Sequence, residues 1–120
     1  MKKYHFKINE SGYHRFAKQQ LTEWVGGEME QPFYIDGEIA FVPDITCKDN
    51  GVVTRLYEVV YSHPIPGIKL GRIQMWSYFN NTEFSVYEVS HDWILKQTEK
   101  PDRIVCIDYY DIDCKAIGVV

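Results

Sequence analysis

Two carboxylates in this 120-residue chain stand in runs that otherwise read as buried β-strand. Asp44 lies in Ala40-Phe41-Val42-Pro43-Asp44-Ile45-Thr46, and Glu58 in Leu56-Tyr57-Glu58-Val59-Val60. A charge in such a run opposes folding unless something pairs with it. If Asn50-Gly51 is the turn of a hairpin, the two acids face each other on neighbouring antiparallel strands, at near-matching distances from the turn. Two carboxylates held side by side repel. A hard divalent cation reverses that sign, because Mg²⁺ takes one or two carboxylates together with waters and phosphate oxygens. A plainer arrangement stays open. Pro43 could mark an edge strand that leaves Asp44 exposed, with Glu58 on the solvent face beside Arg55 or Lys48.

The elements that must position these acids follow from periodicity and turn chemistry. Residues 11–25 have helical spacing, with Ser11 as N-cap and Gly26-Gly27 as the stop. Tyr13, Phe16, Ala17, Leu21, Trp24 and Val25 form its apolar face, and His14 and Lys18, four apart, share another. Three strands are then expected, turning at Asp36-Gly37 and at Lys48 to Gly51, with the second over 39–47 and the third over 52–62. Turns this short make an antiparallel meander. After the break at His63 to Gly67, a helix is expected over 68–81, with Ile68, Ile73, Met75, Trp76 and Phe79 facing the core. A strand over 83–90, a short helix over 91–99 and a strand over 103–112 complete the order. Strands first and then β/α alternation point to an α+β fold, a mixed sheet flanked by helices.

Composition narrows the function. The length suits one domain, 1–120, with a core over about 11–89 and a helix-strand extension over 91–114. A net charge of −4 argues against a basic, sequence-blind nucleic-acid coat. Charge is nonetheless uneven: residues 1–24 hold five basic and two acidic side chains, and residues 28–58 hold two basic and seven acidic. Three cysteines, Cys47, Cys106 and Cys114, without a CxxC pair, read as reduced thiols of a cytoplasmic protein. The start, MKKYHFKINESG, lacks the apolar stretch of a leader or a membrane span. Phosphate-loop, dinucleotide, zinc-protease and serine-hydrolase motifs are absent. Asp108, Asp111 and Asp113 lack the glycine and glutamate of a calcium loop.

Pro43-Asp44, thirteen residues, then Glu58-Val59-Val60 resembles the paired motif of the PD-(D/E)XK nuclease superfamily. The strand pattern Val86-Tyr87-Glu88-Val89 is closest to its CoiA-like competence-protein branch. The resemblance implies a restriction-endonuclease-like core of order αβββαβ, with Asp44 and Glu58 as ligands of Mg²⁺ or Mn²⁺. It implies nucleic acid as substrate, DNA before RNA, no membrane, and a homodimer where two strands are cut. The motif's lysine would fall at position 60, where this chain has Val60. Lys69 on the next helix, or His63 as a general base, would stand in for it. Gln74 and Arg72 on that helix, and His14 and Lys18 on the first, would contact substrate. A second reading keeps the fold without the chemistry, as a binding module for nucleic acid or a host protein in a phage or mobile element. A third takes Asp44 and Glu58 as surface acids of an unrelated domain.

Overall fold

The computed structural model describes residues 12–96 and 103–106. The cap at Ser11, the end of the third helix, the last strand beyond Cys106 and the tail acids lie outside the described residues. Helix α1 spans Gly12–Val25. Five strands follow: β1 (Glu28–Met29), β2 (Phe33–Ile35), β3 (Glu38–Phe41), β4 (Ile45–Asp49) and β5 (Val52–Val60). Helix α2 (Gly67–Phe79), β6 (Glu83–Glu88), α3 (His91–Lys96) and β7 (Arg103–Cys106) complete the order. Strands β1-β4-β5-β6-β7 form one mixed sheet in that spatial order. The β5–β6 pair is parallel, bridged by the α2 crossover, and the other pairs are antiparallel. The α+β class with a mixed sheet is therefore present. No helix among the described residues is long and apolar enough to cross a membrane.

The expected three-strand meander is corrected at Pro43. The run 39–47 is two strands, not one: β3 pairs with β2 as a separate two-stranded sheet, and β4 pairs with β5. Proline has no N–H for a ladder, and the next N–H, that of Asp44, is taken by a side chain. Asp44 consequently sits in the break rather than mid-strand. Both hairpin turns expected from Asp-Gly and Asn-Gly are present, and Asn50 and Gly51 have φ of 52° and 79°, as a primed turn requires. Strand β1 has no periodic signature; it forms because the chain turns back on β4 after α1. Gly27 makes that approach, since a Cβ there would lie 2.7 Å from Ile45 and 2.8 Å from the Thr46 carbonyl oxygen.

Alternation along β5 decides which way the acid points. Leu56 and Val60 join the core under α2 with Leu70, Ile73, Phe84 and Val86. Tyr57 and Val59 join the opposite core with Ala17, Leu21, Ile45 and Ile94, under α1 and α3. Glu58, between Leu56 and Val60, therefore points to the α2 side. Arg55 belongs to the other parity, where it donates to the Tyr57 hydroxyl and the Val25 carbonyl.

Helix α2 meets the core at Ile73 and Trp76 as expected, but not at the other three expected positions. Leu70, Ile73, Gln74 and Ser77 face inward, whereas Ile68, Met75 and Phe79 are exposed, Phe79 by 75%. Burying Leu70 and Ile73 stabilises the fold by ~2 kcal/mol each. The inward face also has to carry Lys69 to the sheet. Trp76 packs edge-on against Phe33 and so ties the β2–β3 hairpin to the helix. On α1, Ala17 and Leu21 are buried as expected, Tyr13 and Phe16 are exposed, and Lys18 is fully enclosed.

Candidate active site

The break at Pro43 brings Asp44 beside Glu58 of β5, the two acids 4% and 3% exposed. Each acid is held by backbone beside the other. The Asp44 N–H donates to Glu58 Oε2 at 2.7 Å, and the Val59 N–H donates to Asp44 Oδ2 at 2.8 Å. This exchange fixes both carboxylates in orientation. It also explains the proline, which frees the segment from the ladder so that the Asp44 amide can turn to Glu58.

A lysine from each of the two long helices reaches the acid pair. Lys69 Nζ, from α2, donates to Glu58 Oε1 at 2.9 Å. Lys18 Nζ, from α1, lies 3.7 Å from Asp44 Oδ1 and donates to Glu30 Oε2 at 2.7 Å. Arg55 and Lys48, the partners of the plainer solvent-face arrangement, are not the ones Glu58 takes. Burial, and then the charge of Asp44, push the Glu58 carboxyl from its usual 4.5 up to about 7, against the opposing pull of Lys69. Burial alone would lower the Lys69 ammonium, but Glu58 and then Asp44 outweigh it and raise it.

Above the pair opens a cleft of about 610 Å³, lined by Asp44, Glu58, Lys69, His14 and His63 among others. His14 Nε2 donates to the Val59 carbonyl at 2.7 Å, so its proton sits on Nε2. His63 is exposed, with Nδ1 2.9 Å from the Ser62 hydroxyl oxygen.

Five of the residues singled out in the sequence thus meet in one cleft, and three do not line it. Lys18 is enclosed behind Asp44, with no exposed surface to offer a phosphate. Gln74 is buried against the sheet; five residues on from Lys69, it lies about 140° around the helix from it. Arg72 donates to the Ala40 carbonyl at 2.9 Å and pins the hairpin to α2. Sequence reasoning left Glu30 unassigned. It has φ of 56°, and its N–H donates to the Asp44 carbonyl. The sequence offered it only as one of three acids, with Glu23 and Glu28, in or just after the first helix, with nothing to choose among them.

Among the described residues, no three His, Cys, Asp or Glu side chains converge as a metal-binding group. Two buried carboxylates opening on a cleft match in number and hardness what Mg²⁺ or Mn²⁺ takes from a protein when phosphate and water complete the shell. Burial first, and then the charge of Asp44, raise Glu58, and a bound cation would offset both. The donor types fit.

No family model matches the chain, and no curated protein or solved structure matches it either.

Proposed function

We propose that this chain is a divalent-metal-dependent nuclease on a restriction-endonuclease-like core, with Asp44 and Glu58 as ligands of Mg²⁺ or Mn²⁺. The supporting observation is the acid pair at the floor of a cleft, with Lys69 bonded to Glu58 although the strand itself offers only Val60. When bound, the metal would polarise the scissile phosphate and lower the pKa of a water. The chain's own residues supply the rest. The Val59 and Asp44 amides hold the carboxylates in place before substrate arrives. The Lys69 ammonium offsets negative charge as it grows on the phosphate. His63, on the open side of the cleft, is an imidazole in position to carry a proton. Nucleic acid, DNA before RNA, is the substrate of this reading.

A second reading has one observation in its favour. All four oxygens of the acid pair already face an amide or an ammonium. The pair is compensated by the protein alone, as a nuclease fold retained only for binding would require. A cleavage assay in Mn²⁺ separates the two. The nuclease reading expects cleavage that Asp44→Ala abolishes. Cleavage surviving in a clean Asp44→Ala preparation contradicts it, and binding of nucleic acid without cleavage by the native chain selects the second.

A further inference from the structure

The walls of the cleft are chemically unlike its floor. Ile39 and Val42 form one side, and Pro64, Ile65 and Pro66 the other. Among the described residues that line it, Lys69 is the one lysine or arginine. We infer that the cleft takes an unpaired strand, one nucleotide entering with its base or sugar against this apolar wall. The inference rests on the nuclease reading above and names the substrate class for that same site.

Three observations carry it. Depth is the first: the acids are 4% and 3% exposed, so a phosphate must descend into the cleft to meet them. In a duplex the phosphates ride on the outside of a stiff cylinder, and bringing one into a recess requires deforming or unpairing the helix. An unpaired strand already has that freedom. Size is the second. About 610 Å³ lies within the range of pockets that enclose a molecule of drug or nucleotide size, well short of a duplex groove. The third is the wall itself. A duplex presents charged, hydrated backbone to whatever it docks on, and its readers multiply phosphate contacts from Lys and Arg. Apolar side chains gain nothing from a phosphate but do gain from the face of a base, which in a single strand is free to leave the stack. The β2–β3 hairpin acquires a role in this arrangement. Arg72 and Trp76 hold it on α2, where it supplies the Ile39 side of the cleft.

The test uses one fluorescein-labelled DNA oligonucleotide, alone and annealed to its complement. Anisotropy is read in Ca²⁺, and cleavage is read separately in Mn²⁺. Ile39 is 40% exposed, so Ile39→Asp should fold, and it places a charge on the wall; Ile39→Val keeps the wall apolar. The inference expects the single strand to bind at least about tenfold more tightly than the duplex. Ile39→Asp should lose that preference, and Ile39→Val should keep it. Equal binding of the two forms, no binding of either, or an unchanged preference in Ile39→Asp overturns the inference. Its failure is separable from that of the nuclease reading. Duplex cleavage in Mn²⁺ that Asp44→Asn removes would leave hydrolysis standing and overturn the single-strand occupant. Wall-dependent single-strand binding without cleavage would do the reverse.

Discussion

Helices α1 and α2 each send one lysine to one of the two acids, and the two lysines are in different situations. Lys18 is wholly enclosed and shared between Asp44 and Glu30. Lys69 keeps 22% of its side chain exposed and faces the cleft. An ammonium without access to solvent cannot meet a substrate, so Lys18 serves the fold by making the burial of Asp44 tolerable. Lys69 satisfies Glu58 and still reaches whatever enters. The same residue type, 3.7 Å from Asp44 in one case and 2.9 Å from Glu58 in the other, is structural in the first and available for chemistry in the second. Access separates them.

The largest expected effect falls on the enclosed lysine. Lys18→Ala should lower stability by about 3–5 kcal/mol in urea denaturation, because it leaves two acids facing a lost buried partner. A loss no greater than that of Lys69→Ala would remove the distinction between the two. For Lys69→Ala the expectation is reversed. Stability should fall by only about 1–2 kcal/mol, the residual exposure being screened by water. Mn²⁺-dependent cleavage should fall by about 10²–10³-fold. Retained cleavage would make Lys69 a counter-ion and nothing more.

A smaller effect concerns pH in the absence of divalent ions. Glu58 is raised from 4.5 to about 7 in the folded chain. Between these values the folded state holds a proton that the unfolded state has released, so stability is full below 4.5 and falls as pH rises toward 7. The fall should amount to a few kcal/mol at most. Glu58→Gln should flatten it, and a slope that persists in Glu58→Gln would assign the titration to another group. The smallest effect sits on α3. The Asp92–Lys96 pair is 3.3 Å apart, with side chains 70% and 67% exposed. Asp92→Ala should change stability by less than ~0.5 kcal/mol, and a larger loss would mean that exposure does not rank these ion pairs.

The acid pair was readable from sequence because a carboxylate amid β-branched residues is unusual, and because Asn50-Gly51 sets the distance of each acid from a common turn. Lys69 stands out for a different reason: the nuclease motif that the chain resembles has a lysine where this chain has Val60, and the next helix offers one. What surrounds them was less readable. The run 39–47 is apolar on both sides of Pro43-Asp44, and only the proline hints that β3 and β4 part company. On α2, Ile73 and Trp76 meet the core as expected, whereas Ile68, Met75 and Phe79 look like core by residue type and are exposed. The inward face is instead the one that carries Leu70, Ile73 and Gln74 and brings Lys69 to Glu58. Lys18 was read as a phosphate contact because lysine is almost never fully buried unless paired. Its partner Glu30 lies beyond the helix, and no local pattern joins the two.

The most direct measurement of the central claim is calorimetric titration of Mn²⁺ into the native chain and into Glu58→Gln near neutral pH. Mn²⁺ is the ion of choice because carboxylate and water oxygens suit it as they suit Mg²⁺. The account predicts saturable binding to the native chain that Glu58→Gln abolishes. Binding of equal strength in Glu58→Gln, or none in the native chain, would contradict it and leave Asp44 and Glu58 as a buried structural pair held by two lysines.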